Sequence, residues 1–345
     1  MKIFRIDYDV LAHEKVMTAL TAQLTTHHLA YGHDAASQRA KKAILEACET
    51  TPQDHEVYFF VGGTQVNACA LDFLLRPYES VICIETGHIE TMEAGSVEAT
   101  GHKLEIVQGK DGKMTADRLA EFMEAYQMDH AREHRPIPRV VYISQTTELG
   151  GVYTIQELRA LRRVCDRYEL KLFVDGARMI AALASDGAAQ LEDLAEVAEA
   201  FTIGGTKAGL LLGEALILKK GPRTSHLIQA QKRFGALLAK GYILGIQFET
   251  LFGDGLWQEI GQNMVSQAQR IAQALKSKGI HFVCDSPSNQ LFPIFEAEQL
   301  AQLEQDFAFD DWAIYEDGRR AKRICTSFAT KEEDVVALIQ AIEKL

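Results

Sequence analysis

The sequence has few cysteines and few prolines, and it has neither a long apolar run nor a surplus of basic residues. Six cysteines occur among 345 residues, and none belongs to a CxxC pair or to a Cys/His cluster with zinc spacing. We therefore expect no disulfide framework and no metal site, and we interpret the cysteines as small buried apolar residues in a reducing compartment.

The chain also lacks the signals that direct a protein into or through a membrane. No run approaches the roughly 18 apolar residues of a membrane-spanning helix, and the first ten residues, MKIFRIDYDV, contain no apolar stretch typical of a signal peptide. The net charge of −12 argues against nucleic-acid binding, which requires a basic face, and weakly against anionic membranes. We predict a cytoplasmic globular protein whose partners are neither nucleic acids nor membranes.

Short apolar runs alternate with helical patterns through the first two thirds of the chain. One such pattern, IQELRALRRVCDRYEL, places apolar side chains from Leu158 to Tyr168 on one stripe at spacings of three and four residues. The alternation predicts an α/β fold with a mostly parallel central sheet and helices on both faces. The predicted strands are residues 56–62, 80–85, 103–108, 139–144, 171–175, 200–204 and 214–220.

The pattern changes near residue 222, and a smaller C-terminal α+β unit is predicted to follow. A helical stretch over roughly 223–277 precedes two segments with strand character, GIHFVCDSPSNQLFPIF and AIYEDGRRAKRICTSFA. A last helix would begin with a capping box of Thr330 and Glu333 and would bury an apolar stripe formed by Val335, Leu338, Ile339 and Ile342.

The chain contains seven prolines, no repeat and no flexible linker, so its units should be tightly joined. We divide it into an N-terminal segment, residues 1–20, that packs near the active site, a large domain, residues 21–245, and a small domain, residues 246–345.

Three charged side chains lie at or just after the ends of predicted strands. Asp175 ends the strand KLFVD, Arg178 follows it, and Lys207 follows AFTIG within the stretch GGTK. A buried lysine is costly unless it is paired, deprotonated or bonded. Arg178 could simply pair with Asp175. In open α/β sheets, however, ligands bind beyond the carboxyl ends of the strands, where all three residues would lie.

Two further strand ends supply groups that suit a phosphorylated, aromatic ligand. Gly63 and Thr64 open a helix whose free backbone N–H groups can bind a phosphate, and His88 follows another strand. Each signal is weak alone, because such glycines are often only turn residues. Together with Lys207 and Asp175 they suit pyridoxal 5'-phosphate, which needs a lysine for a Schiff base, a carboxylate for its ring nitrogen and donors for its phosphate.

These motifs, taken as a set, resemble those of the low-specificity threonine aldolases, in the β-eliminating lyase group of fold-type I pyridoxal phosphate enzymes. The resemblance runs from about Phe4 to the C-terminus. The motifs that carry it are YGHD, GGTQVN, ETGHIETMEAGSVEATGHKL, SQTTELGGVYT, DGAR, GGTKAG and RICTSFA. The resemblance implies a fold-type I architecture.

The resemblance also implies roles for the candidate residues around the cofactor. Lys207 would bind pyridoxal phosphate covalently, Asp175 would pair with the pyridinium nitrogen, and His88 would stack on the ring. Gly63 and Thr64 would hold the phosphate.

On the substrate side, the resemblance assigns Arg178, which would also border the cofactor, and Arg323 to the substrate carboxylate. Members of the family are dimers or dimers of dimers with active sites at the interface, where a basic residue of the neighbouring subunit helps to hold the phosphate. The stretch KRFGALLAKGY occupies that region, and Lys240 is one candidate among several.

The reaction implied is cleavage of the Cα–Cβ bond of a β-hydroxy-α-amino acid, threonine or allo-threonine, to glycine and an aldehyde. His88, acting directly or through a water, is the first candidate for the base that takes the hydroxyl proton. The alternative is a β-eliminating lyase or related enzyme for another amino acid, since the same cofactor site serves many reactions. A cofactor-carrying binding protein with little turnover is a further alternative.

One segment departs from the family's pattern. The stretch RIDYDVLAHEKV keeps Asp7, Tyr8 and His13, but Ile6 stands where relatives have a small polar residue that contacts the substrate carboxylate. Asp9 nearby would repel a carboxylate. This departure puts threonine itself in doubt as the substrate, while it leaves the cofactor site untouched.

Overall fold

All seven apolar runs predicted as strands form one sheet in a computed structural model that describes residues 1–345. The strands of the whole chain are β1 (Lys2–Ile3), β2 (His55–Phe60), β3 (Glu79–Ile84), β4 (Leu104–Val107), β5 (Ile137–Ser144), β6 (Lys171–Asp175), β7 (Ala200–Gly204), β8 (Glu214–Lys219), β9 (His281–Phe282), β10 (Gln290–Leu291), β11 (Pro293–Phe295), β12 (Phe307–Ala308), β13 (Asp310–Ile314) and β14 (Arg320–Cys325). The central sheet has the order β2-β8-β7-β6-β5-β3-β4, and only β8 runs antiparallel to its neighbours. The mostly parallel α/β sheet predicted from the sequence is therefore confirmed.

Helices cover both faces of this sheet, as the sequence predicts. The helices are α1 (Glu14–Thr21), α2 (Ala35–Ala47), α3 (Gly63–Leu74), α4 (His88–Thr91), α5 (Ala116–Met128), α6 (Ile155–Arg167), α7 (Met179–Leu183), α8 (Leu191–Val197), α9 (Leu227–Arg233), α10 (Tyr242–Phe252), α11 (Leu256–Ser277), α12 (Ala297–Leu303) and α13 (Glu332–Ile342). Side chains alternate across the strands: Val57 and Phe59 of β2 join one apolar core, whereas Tyr58 and Phe60 join the core on the other face. None of the helices combines the length and apolar character needed to cross a bilayer.

The helical stretch expected over 223–277 is not continuous. Helices α9, α10 and α11 are separated by turns at Gly235 and at Gly255, whose φ angles are +66° and +72°. Glycine adopts such left-handed backbone at little cost, so these positions end one helix and let the next start in a new direction.

The C-terminal part contains a second, smaller sheet, which confirms that prediction. Its strands have the order β10-β14-β11-β9, with β13 beside β14, and α11, α12 and α13 contribute to its apolar core. The predicted capping box of α13 is wrong, because the helix starts after Lys331 without a side-chain cap, and the Thr330 hydroxyl instead accepts a hydrogen bond from the Ser327 backbone N–H at 2.8 Å. The stripe beneath it is buried at Val335, Leu338 and Ile342, while Ile339 is half-buried.

The N-terminal segment runs along this smaller sheet region. Strand β1 pairs with β12 in parallel, and the Phe4 carbonyl accepts a hydrogen bond from the Cys325 N–H at 2.8 Å. The division of the chain at residues 20 and 245 stays a prediction, and α10, which packs on α2, runs through residue 245.

Candidate active site

The carboxyl ends of the central strands gather most of the predicted site residues at one edge of the sheet. Strands β3, β5, β6 and β7 are parallel, and β2 runs in the same direction because β8 reverses between it and β7. His88 follows β3, Asp175 ends β6, Lys207 follows β7, and α3 with Gly63 follows β2. This edge is where open α/β sheets bind their ligands.

Asp175 is buried, and its carboxylate accepts three hydrogen bonds, none of them from an arginine. Its Oδ2 accepts bonds from Tyr142 Oη at 2.6 Å and Asn67 Nδ2 at 2.8 Å, and its Oδ1 accepts the Ala177 N–H at 2.9 Å. Burial and the neighbouring Asp175 charge raise the pKa of Tyr142, so the phenol remains a donor. The suggested pairing of Asp175 with Arg178 is wrong, because the Arg178 guanidinium pairs with Asp7 instead.

Lys207 lies in a one-turn 3-10 helix, and its amine makes no hydrogen bond within the chain. Its Nζ lies 5.8 Å from the centre of the Tyr8 ring. Burial and the charge of Arg178 lower the lysine pKa, while Asp7, Glu214 and Asp175 act in the opposite direction. A lowered pKa increases the fraction of the amine that is neutral and nucleophilic, which is the form that reacts with a carbonyl.

Two glycines allow the loops carrying Asp175 and Lys207 to touch. A Cβ at Gly176 would lie 1.9 Å from the Thr202 carbonyl oxygen, and one at Gly204 would lie 2.3 Å from the Ala177 carbonyl oxygen. Any side chain at these positions would push β6 and β7 apart where they end. Gly176 and Gly204 therefore allow the Asp175 carboxylate and the Lys207 amine to lie in one compact site.

His88 is held by a buried carboxylate. Its Nδ1 lies 2.8 Å from Glu93 Oε1, which also accepts a bond from Asn67 Nδ2 at 2.8 Å, and Ser96 Oγ donates to Glu93 Oε2. The hydrogen bond with Glu93 raises the pKa of His88 against the opposing effect of burial. Because Asn67 also bonds to Asp175, it links the histidine pair to the acid of β6.

We expect Glu93→Gln to lower the pKa of His88, because an amide cannot stabilise the imidazolium. A folded pKa above the unfolded value of about 6.5 means that the pair's stabilisation is complete below that pH and is lost as pH rises through the folded pKa. NMR titration of labelled histidine in the cofactor-free protein measures the shift. Ser96→Ala, which keeps the Glu93 charge, is the control; an unchanged His88 pKa in Glu93→Gln would contradict the assignment.

The start of α3 has the features of an anion site. Gly63, Thr64 and Gln65 lie in its first turn, where backbone N–H groups have no acceptor within the helix, and the helix dipole favours negative charge there. No atom lies within 4 Å of the position a Cβ would take at Gly62 or Gly63. The open space beside free donors fits a phosphate group.

The two arginines expected to bind a carboxylate both face carboxylates of the chain. Arg178 Nε and Nη2 donate to Asp7 at 2.7 and 3.0 Å, and Arg323 Nη2 donates to Asp310 at 2.6 Å. Arg323 Nε is buried without any acceptor. Burial raises the pKa of the Cys325 thiol, two residues beyond Arg323 on β14, while the positive charges of the two arginines act in the opposite direction.

Several residues of the site were missed by the sequence reasoning. Asn67 carried a usable signal, since it is a polar residue within the apolar helix run VNACAL. Glu93 lies in a quoted motif, five residues from its partner His88, but was given no role. Tyr142 carried no signal, because its partner Asp175 is 33 residues away. Glu148 was part of a quoted motif without a role; it accepts bonds from Ser144 Oγ at 2.6 Å and the His88 N–H at 3.0 Å, and burial raises its pKa.

The residues present fit pyridoxal phosphate. Lys207 offers a free amine, Asp175 a buried carboxylate, α3 an open set of donors, and Arg323 an unsatisfied N–H for an incoming acceptor. These are the groups that the cofactor and an amino acid on it require.

Comparisons with known proteins identify a family and several similar proteins. The family model described as beta-eliminating lyase matches residues 11–284. A low-specificity L-threonine aldolase from a Pseudomonas species is 35% identical over 273 residues, covering 78% of this chain and 74% of that protein. The solved Leishmania major threonine aldolase is 39% identical, covers 100% of this chain and 99% of its own, and gives a TM-score of 0.93. Serine palmitoyltransferase from Sphingomonas wittichii shares the fold with a TM-score of 0.74 at 13% identity over 99% of this chain and 86% of that one.

Proposed function

Because the chain belongs to the beta-eliminating lyase family, we propose that it is a pyridoxal phosphate-dependent aldolase that cleaves threonine or allo-threonine to glycine and acetaldehyde. The observation that carries this proposal is the similarity to the Leishmania threonine aldolase along the whole chain. The site on the sheet edge provides the groups that such a reaction needs.

The cofactor's role and the residues that would hold it follow from the site. When bound, pyridoxal phosphate supplies a ring that accepts electrons from the bond broken at Cα. Lys207 would hold it covalently, Asp175 would keep a proton on its ring nitrogen, His88 would lie against the ring, and Gly63 with Thr64 would bind its phosphate.

Arg178 and Arg323 would bind and orient the carboxylate of the amino acid. Guanidinium groups suit this task because they present paired donors to two carboxylate oxygens. His88 would take the proton of the β-hydroxyl group, directly or through a water. Because Glu93 raises the His88 pKa, the neutral imidazole that can accept this proton forms only at a higher pH than it would without Glu93, so activity should rise with pH through the His88 pKa.

The alternative, a β-eliminating lyase for another amino acid, is not favoured, because two relatives of 35% and 34% identity and a solved structure of 39% identity carry the name of threonine aldolases. Its remaining support is the N-terminal segment. Ile6 is half-buried, and Asp9 is exposed and forms no ion pair, so neither replaces the polar contact expected in relatives.

A product assay decides between the two reactions. The holoenzyme should convert L-threonine or L-allo-threonine to equal amounts of glycine and acetaldehyde. Release of pyruvate from serine or cysteine, without aldehyde from the β-hydroxy amino acids, would support elimination instead. An absence of turnover on every amino acid in the panel would favour a binding protein.

Borohydride reduction of the purified holoenzyme is expected to fix the cofactor on Lys207. The reason is that its amine is free of hydrogen bonds and has a lowered pKa. Peptide mapping of the reduced protein locates the label, and Lys207→Ala is the control that should carry none. A label on another lysine would contradict the assignment of Lys207 as the cofactor-binding residue.

We expect a cytoplasmic homodimer or homotetramer with active sites near the interface. Leu24, Leu29 and Met92 are exposed large apolar side chains, of the kind that subunit contacts cover. A basic residue of the 232–242 stretch, Lys240 among the candidates, would reach the neighbouring site.

A further inference from the structure

Asp7 is a fully buried carboxylate for which the reaction described so far has no use. Its side chain has no exposed surface, and it lies in the N-terminal segment that runs along the C-terminal sheet. Burial opposes its ionisation, yet the charges of Arg178 and Lys207 and the bonds to Arg178 and Asn289 lower its pKa to about 2. Asp7 is therefore an anion at any pH at which the enzyme works.

The contact between Asp7 and Arg178 uses one particular edge of the guanidinium. Nε donates to Oδ2 at 2.7 Å and Nη2 donates to Oδ1 at 3.0 Å, which is a bidentate pair on the side edge of the group. Nη1 makes no hydrogen bond within the chain. The end edge, formed by Nη1 and the second proton of Nη2, remains able to donate to another carboxylate.

Asp7 is itself fixed from the side of the C-terminal sheet. Asn289, also fully buried, donates from Nδ2 to Asp7 Oδ2 at 3.0 Å and to the Thr326 carbonyl at 2.8 Å. Thr326 directly follows β14, the strand that carries Arg323. A chain of hydrogen bonds thus runs from β14 through Asn289 and Asp7 to Arg178, which follows β6 of the central sheet.

We propose that Asp7 is a positioning residue of the substrate-carboxylate site. Asp7 holds Arg178 by the side edge of its guanidinium, so that the end edge can receive the carboxylate. Through Asn289 it also fixes the position of Arg178 relative to the strand that carries Arg323. This proposal rests on the proposed function, since it requires that Arg178 binds an amino acid carboxylate. The competing explanation is that Asp7 only neutralises a buried cation.

The two explanations differ in what happens to carboxylate recognition when the Asp7 charge is removed. A neutraliser competes with the substrate, so its loss should leave carboxylate binding equal or tighter. A positioning residue fixes the donor geometry, so its loss should weaken binding of carboxylates selectively. The bidentate geometry and the second anchor at Asn289 favour positioning, because neutralisation alone requires neither.

The experiment compares glycine with glycinamide as ligands of the holoenzyme, by following the cofactor absorbance during titration. The two ligands share the amine and differ at the group that Arg178 would contact. In Asp7→Asn, the preference for glycine over glycinamide is expected to fall roughly ten- to hundredfold, the scale of one charge-assisted bond. Asp317→Asn, which removes the partner of Arg319 on an exposed turn, should keep the wild-type preference.

A general folding defect would weaken both ligands together and leave their ratio unchanged. An unchanged or increased ratio in Asp7→Asn therefore overturns the proposal, whatever happens to the affinities. Should that variant fail to fold, Asp7→Glu keeps the charge but displaces the guanidinium, and its ratio should also fall; a wild-type ratio there overturns the proposal too. If the wild-type enzyme itself does not distinguish glycine from glycinamide, the assignment of Arg178 to a substrate carboxylate has failed instead.

Discussion

Asp175→Asn is expected to lower kcat/KM by a factor that corresponds to about 2–4 kcal/mol of transition-state stabilisation, the scale of one preorganised electrostatic partner. The side chain keeps its size, but its negative charge is lost at the point where Tyr142 and Asn67 converge. An asparagine cannot hold a proton on the cofactor's ring nitrogen by charge. The kinetics should be measured together with cofactor content and the circular dichroism of the cofactor-free protein, both of which should stay close to wild type.

Tyr142→Phe is the matched control for that variant. It removes one donor to the same carboxylate at 2.6 Å but leaves the charge of Asp175 in place, so its kinetic loss should be clearly smaller. If Asp175→Asn turned over at a rate near that of the wild type, the ring nitrogen would have another partner.

Arg323→Lys is expected to remove most aldolase activity while the cofactor spectrum stays intact. The guanidinium has one N–H bonded to Asp310 and a buried Nε–H without an acceptor, so an incoming carboxylate can satisfy it. A lysine offers a single point of charge and cannot reproduce paired donors. With each charge-assisted bond contributing roughly 1.5–3 kcal/mol, kcat/KM should drop by about two orders of magnitude.

Arg320→Lys provides the comparison, because Arg320 lies on the same strand, is exposed and forms no ion pair. That variant should behave as the wild type in activity and in thermal unfolding. Equal activity of the two lysine variants would mean that Arg323 serves the strand pairing of β13 and β14 and not the substrate.

The central sheet could be predicted from the sequence because its signal is local. Each strand from β2 to β8 is a short apolar run, and runs such as VYFF and SVICI are buried on both faces, because helices cover both sides of the sheet. Lys207 and Asp175 could be singled out as candidates for the same reason: a charged residue at the end of an apolar strand is conspicuous.

The contacts that could not be predicted are mostly those between residues far apart in the sequence. Arg178 pairs with Asp7, 171 residues away, and not with the nearby Asp175, because the N-terminal segment folds across the sheet edge. Glu93 is close in sequence to His88, but Asn67, which joins this pair to Asp175, is 26 residues away from Glu93. The breaks in the 223–277 stretch depended on single glycines with left-handed backbone, which a helical pattern does not distinguish from tolerated ones.

The close contact of the backbone at Gly176 and Gly204 limits how this catalyst can be reshaped. In libraries that randomise the DGAR or GGTK motifs, variants with a side chain at Gly176 or Gly204 would force β6 and β7 apart. Diversity is better placed in the N-terminal segment, where Tyr8 is half exposed and its ring lies 5.8 Å from the Lys207 amine. New substrate ranges should therefore emerge from changes in the N-terminal segment, while the strand ends that carry Asp175 and Lys207 stay constant.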